Sequence, residues 1–214
     1  HFSHVTVLAV TPDSRHLVSG SSDGTVFVWD IEKRTSLYSF QIHRTWVSGI
    51  SAIDNIRIAV GYRNGLLLIW NLETRTEEKR ITLESGYIRA LTREYNGRIF
   101  VASKWEIVVI NLQKGTIDTT FTVHEGWILD LELSLDGKYL FAASGSWGTR
   151  NDTISVWSLD SYNLISTFTG HLNDVTNIYP LDNSLLVSLS SDRTVRIWSI
   201  PNGVAVTSSL DPSL

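Results

Sequence analysis

Leu17-Val18-Ser19-Gly20-Ser21-Ser22-Asp23-Gly24-Thr25-Val26-Phe27-Val28-Trp29-Asp30 reads as two short strands around a tight turn, closed by Trp-Asp. Its β-branched and aromatic residues favour extended backbone, and Ser-Asp-Gly supplies the turn. The ending returns as Leu67-Leu68-Ile69-Trp70-Asn71, Ile154-Ser155-Val156-Trp157-Ser158 and Val195-Arg196-Ile197-Trp198-Ser199. A weaker copy, Ile107-Val108-Val109-Ile110-Asn111, fills the gap. The closing positions 29, 70, 110, 157 and 198 lie 41, 40, 47 and 41 residues apart.

A repeat of about 40–45 residues with this ending is the signature of a β-propeller blade. Working back from each closing position finds a second marker. His1, His43, His124 and His171 each precede an alternating apolar run, and Glu84 stands where the third copy needs its histidine. These markers divide the chain into units at 1–42, 43–83, 84–123, 124–170 and 171–214. Each unit reads as four short strands separated by turn residues such as Pro12-Asp13-Ser14, Ser22-Asp23-Gly24 and Glu32-Lys33-Arg34. A parallel sheet needs crossover helices, and the spacing leaves no room for them. The fold expected is all-β, with five four-stranded blades in one propeller body.

Composition narrows the function. Apolar residues make up 43% and charged residues 19% of the 214 residues, an ordinary globular balance. A net charge of −4 gives no global attraction to nucleic acid, which ranks low as a partner. No apolar run approaches the roughly 20 residues of a membrane helix, so membrane insertion is not expected. The absence of cysteine removes disulfides, thiolate metal sites and cysteine nucleophiles together. No basic-then-apolar leader opens the sequence, and the expected location is intracellular and cytoplasmic, with the nucleus left open. Asn151-Asp152-Thr153 fits the glycosylation acceptor pattern, which needs a secretory context. The chain holds no methionine and is expected to be an excerpt of a longer polypeptide.

With its first and fifth units reading LVSGSSDGTVFVWD and LVSLSSDRTVRIWS, the chain resembles the WD40-repeat family over essentially its whole length. The resemblance implies hydrogen-bonded tetrads of His1, Ser19, Asp23 and Trp29, and of His171, Ser188, Asp192 and Trp198. In such a tetrad the carboxylate accepts from the imidazole, the imidazole bonds the hydroxyl, and the hydroxyl reaches the indole N–H. Every buried polar group then has a partner. The second unit has Val60 for the hydroxyl and Asn64 for the acid. The third has Glu84 and Ile110, and there Trp105 is expected to replace the tetrad by packing. The fourth keeps His124, Asp152 and Trp157 but has Ala142 at the hydroxyl position.

A network of Ser, His and Asp invites a hydrolase reading, but the resemblance buries it between strands, whereas a catalytic hydroxyl needs exposure beside an oxyanion hole. Histidines about 40 residues apart lack the short spacing of zinc ligands. No catalytic residue, metal or cofactor is therefore expected. The resemblance instead places the position three residues after each marker at the top face: His4, Trp46, Tyr87, Trp127 and Asp174. Three consecutive units offer Trp46, Tyr87 and Trp127, rings of the kind that anchor partners with few rotors. Arg44, Arg63, Lys104 and Arg150 fall on top-side loops among Glu84, Glu125 and Asp174. Such a surface suits an acidic or phosphorylated peptide, because the arginine fork matches carboxylate and phosphate. The fourth unit also carries an enlarged loop with Trp147 at its tip.

The function read from these residues is a non-catalytic scaffold that binds a peptide or partner protein within a multiprotein complex. Alternatives are the recognition propeller of a larger multidomain protein (a ubiquitin-ligase receptor, a coat or ciliary component, a signalling protein) and, ranked last, an enzyme. Family members usually close with seven blades, so flanking blades are expected in the full protein.

Overall fold

The computed structural model describes residues 1–122, 126–145 and 152–208. Among these there is no helix, and twenty strands form five four-stranded antiparallel sheets. The chain forms two compact units, one of residues 1–104 with 108–120, the other of 105–107 with 121–214.

In the first unit, β1 (Val5–Val10), β2 (His16–Ser21), β3 (Thr25–Asp30) and β4 (Thr35–Gln41) form the first sheet in chain order. The second sheet is β5 (Val47–Ala52), β6 (Arg57–Tyr62), β7 (Leu66–Asn71) and β8 (Thr76–Thr82), and the third is β9 (Ile88–Leu91), β10 (Arg98–Ser103), β11 (Glu106–Asn111) and β12 (Thr116–Thr122), of which Glu106, Ile107, Phe121 and Thr122 count with the second unit. In the second unit, β13 (Trp127–Leu133), β14 (Tyr139–Gly145), β15 (Ile154–Ser158) and β16 (Leu164–Phe168) precede β17 (Val175–Pro180), β18 (Leu185–Ser190), β19 (Val195–Ser199) and β20 (Ala205–Ser208).

Within each unit, neighbouring sheets pack apolar faces together, and aromatic pairs mark the seams. Phe40 of β4 stacks on Trp70 of the next sheet, ring centroids 4.0 Å apart and planes 10° from parallel. In the second unit Phe121 meets Trp157 at 5.0 Å, and Phe168 meets Trp198 at 5.6 Å. Where the third sheet has Ile110 for tryptophan, the residue at the phenylalanine position of β8 is Ile81. Both isoleucines lie buried in one cluster with Ile69, Ile99 and Val101. Aromatic partners are thus exchanged together for aliphatic ones, which conserves packing without a void.

A β-bulge interrupts the first strand of every sheet, a departure from the regular alternation expected from sequence. The register slips past Thr6, Ser48, Arg89, Leu129 and Thr176, leaving each as the extra residue. In the first unit this frees two hydroxyls to join sheets. Thr6 donates to the Val47 carbonyl at 2.5 Å, and Ser48 to the Ile88 carbonyl at 2.6 Å. The close approach needs small residues behind it: a Cβ on Gly61 would sit 2.7 Å from Ile88 Cγ2, and one on Gly20 would collide with Val47.

Candidate docking site

His1, His43 and His171 sit where the chain enters the first, second and fifth sheets, and the fifth sheet holds its tetrad as expected. Trp198 Nε1–H donates to Ser188 Oγ at 2.7 Å, and Ser188 Oγ–H to His171 Nε2 at 2.7 Å. Because Asp192 Oδ2 can only accept, His171 Nδ1 carries the proton it shares at 2.9 Å. Asp192 also accepts from Leu172 N–H and from the backbone and hydroxyl of Thr194. These bonds to the charged form outweigh burial and hold the Asp192 carboxyl far below the usual range, while burial pulls the His171 imidazole below its ordinary value.

The first sheet differs. Trp29 and Ser19 meet His1 as expected, at 2.9 and 2.7 Å, but His1 Nδ1 donates to Thr25 Oγ1 at 2.6 Å. Thr25 passes the bond to Asp23 Oδ1, leaving Asp23 Oδ2 to accept from Phe2 N–H. Bonds from Thr25, Phe2 and Ser21 prevail over desolvation and hold Asp23 at about 2. The direct histidine–aspartate contact expected here is therefore relayed through a threonine. In the fourth sheet Trp157 Nε1–H donates instead to Ser155 Oγ at 2.9 Å. Ser155 lies directly opposite Ala142 in the ladder, so the hydroxyl has crossed to the neighbouring strand. Asp152 is buried with no hydrogen bond to Oδ1, and burial, then Asp174 and Asp192, raise its carboxyl above the usual range. His124, Glu125, Trp147 and Arg150 lie outside the described residues.

The sign of each shift fixes a pH response. A buried histidine with a lowered value contributes stability present above its unfolded pKa, about 6.5, and lost as pH falls through the folded value. Asp23 and Asp192 follow the same rule from about 3.8 downwards. Asp152, being raised, has the opposite sign and favours the folded state as it protonates. Chemical denaturation at about pH 7.5 and pH 5.5 should show lower stability in acid, with a smaller difference in His171→Gln. An equal difference in both proteins would contradict a buried neutral His171.

The docking residues separate by unit. In the first, Trp46 precedes β5 and accepts at its carbonyl from Arg63 N–H, 3.0 Å away, just past β6. Gly65, at φ +83°, turns the chain straight back into β7. This places the Arg63 guanidinium 3.7 Å from the centroid of a Trp46 ring and 5.5 Å from that of Tyr87, which precedes β9. Trp46 keeps 43% of its surface exposed, so the ring does not merely seal the core. Burial lowers the Arg63 pKa, and Arg89 adds to that while Tyr87 opposes it. Among the described residues no acceptor reaches the buried Arg63 Nε, and Arg44, Arg63 and Arg89 form no ion pair. The result is a preorganised aromatic and cationic cluster.

His4 is exposed in the first unit, its carbonyl fixed by Ser22 N–H. Lys104 and Trp105 occupy the β10–β11 turn, where Trp105 is 43% exposed. In the second unit Trp127 opens β13 and is 42% exposed. Asp174 is half-buried there, packed where Gly145 has no side chain.

The model of the WD domain, G-beta repeat, matches residues 1–30, 115–158 and 162–199, just over half of the sequence. The chain belongs to the WD40-repeat family. Its WD40 sheets also match the solved structure of U3-55K with a TM-score of 0.86 at 20% identity, covering all of this chain and 68% of that one. A WD repeat-containing protein of Schizosaccharomyces pombe is 25% identical over 210 residues, 94% of the chain and 55% of that protein. Autophagy-related protein 16 of Arabidopsis thaliana is 27% identical over 135 residues, 61% of the chain and 26% of that protein. The chain thus spans about half or less of the length of these curated relatives. WD40 propellers are in general non-catalytic interaction scaffolds, and no helix among the described residues is long and apolar enough to cross a membrane.

Proposed function

We propose that the chain is a non-catalytic docking module, acting inside the cell within a multiprotein complex. Its Trp46–Arg63–Tyr87 cluster takes an extended acidic or phosphorylated segment of a partner protein. The observation that carries this reading is the Arg63 guanidinium stacked on Trp46 with no counter-ion among the described residues. A stacked guanidinium has lost rotamer freedom before binding and still presents N–H edges to a carboxylate or phosphate. Exposed Arg44 and half-buried Arg89 add positive charge nearby in the chain.

A peptide array of acidic, phosphorylated and neutral sequences, probed with wild type, Trp46→Ala and Arg63→Gln, tests the proposal. Acidic or phosphorylated peptides should be retained selectively, and each variant should bind them at least about tenfold more weakly. Trp127→Ala reports separately on the ring of the second unit. Equal retention of acidic and neutral peptides, or undiminished binding by folded Arg63→Gln, would remove the cluster from the account.

A further inference from the structure

We infer that a groove between the first two sheets, at the ends of their strands opposite the marker histidines, is a second docking site for a peptide carrying a carboxylate beside a branched aliphatic side chain. The groove encloses about 350 Å³ and opens between the β1–β2 turn and β4 on one side and the β5–β6 and β7–β8 turns on the other. That volume suits a few side chains. It goes beyond the Trp46 cluster and shares none of its residues.

The walls are pinned. Asp13 N–H of the β1–β2 turn donates to Asn55 Oδ1 of the β5–β6 turn at 3.0 Å, bridging the two sheets. Tyr38 Oη–H donates to the Leu72 carbonyl at 3.0 Å, fixing the phenol ring across the same seam. Above that ring lies the Arg75 guanidinium, 4.7 Å from the centroid. The apolar lining is partly open to solvent, with Leu37 at 41% and Ile56 at 37% exposure.

Charge complementarity selects the occupant. The Asp13 carboxylate is already engaged: it accepts from the Thr11 hydroxyl at 2.7 Å and Arg15 N–H at 3.1 Å, with Arg15 Nε 3.8 Å away. Arg75, by contrast, makes no side-chain hydrogen bond and no ion pair among the described residues. Arg15 is largely exposed, its only ion-pair contact there being the long one to Asp13. Arg15 and Asp13 thus largely answer each other, which leaves the Arg75 guanidinium as the open cation of the groove, with Glu73 at the rim. A stacked arginine with open donor edges matches a carboxylate, and the exposed Leu37 and Ile56 match an adjacent aliphatic side chain.

The turn also supplies a safe variant. Arg75 stands at φ +58°, and the corresponding positions of the third and fifth sheets are Gly115 at +72° and Gly203 at +69°. Arg75→Gly relieves the backbone while removing the guanidinium. The experiment titrates the chain, labelled for NMR, with the blocked peptide Ala-Leu-Asp-Leu-Ala and its Ala-Leu-Asn-Leu-Ala counterpart. The aspartate peptide should shift signals of Leu37, Tyr38, Ile56 and Arg75. At the signals of Leu37 and Ile56, Arg75→Gly and the asparagine peptide should each bind at least about tenfold more weakly. Absence of shifts in the groove at millimolar peptide, groove shifts that persist in Arg75→Gly, or shifts confined to the Trp46 cluster would each overturn the inference.

Discussion

Asp192→Ala is expected to lower the unfolding free energy by roughly 3–5 kcal/mol. The carboxylate accepts from His171, Leu172 and Thr194 in a setting where the His171 and Asp192 side chains are only 1% and 6% exposed. Truncation removes the direct acceptor of the buried His171 imidazole and two acceptor contacts of Thr194, while the exposed Leu172 N–H turns to solvent; each buried group left unsatisfied costs about 1–3 kcal/mol. Asp192→Asn keeps one acceptor oxygen and should lose less. Asp23→Ala should also lose less, because His1 bonds only Thr25 on that side, at 2.6 Å, whereas His171 bonds Asp192 directly at 2.9 Å with Thr194 beside it at 3.1 Å. Urea denaturation of the three variants checks the order. Equal losses for Asp192→Ala and Asp23→Ala would show that the directness of the histidine contact has no energetic weight.

Gly24→Ala should cost about 2–4 kcal/mol, although the change adds a single methyl group. Two effects combine. The backbone at φ +84° lies in the left-handed region, where a Cβ is disfavoured. A Cβ there would also collide with the His43 carbonyl and lie 2.9 Å from that of Thr45, so the loop leading to Trp46 would have to move. Backbone carbonyls yield less readily than side-chain ends. Gly97→Ala is the control, for its φ of +73° brings the same strain but no atom lies within 4 Å. The difference between the two midpoints isolates the collision. Indistinguishable midpoints would mean that the loop before β5 gives way freely and does not hold Trp46 in place.

Much of the fold was readable because its markers are periodic. Trp29, Trp70, Trp157 and Trp198 recur at blade spacing, and even the exception follows a rule, since Ile110 without tryptophan goes with Ile81 without phenylalanine. The tetrad of the fifth sheet was legible for the same reason. The relay through Thr25 was not, although a threonine follows each tetrad aspartate by two residues in both close copies; side-chain torsions, not spacing, decide whether histidine reaches the acid directly. Ser155 escaped notice because the hydroxyl crossed to the strand opposite Ala142, and a search by register sees one strand at a time. The bulges at Thr6, Ser48 and Arg89 break the period of two on which strand reading depends.

The docking cluster was half legible. Register assigned Trp46 and Tyr87 to corresponding positions and set Arg63 on the same loops, but nothing in the sequence says that the guanidinium lies on the Trp46 ring. That geometry depends on a carbonyl–amide bond between Trp46 and Arg63 and on the tight turn at Gly65. Arg89 was missed as a contributor because it occupies a strand position where Thr6 and Ser48 carry hydroxyls.

The claim that matters most is that a planar, stacked guanidinium, and not positive charge alone, receives the partner. Arg63→Lys tests it, since lysine keeps the charge but loses the fork and the flat face. Titration calorimetry with one acidic peptide selected on the wild type should show binding weakened about tenfold, close to 1.4 kcal/mol. Wild-type affinity in a correctly folded Arg63→Lys protein would contradict the account.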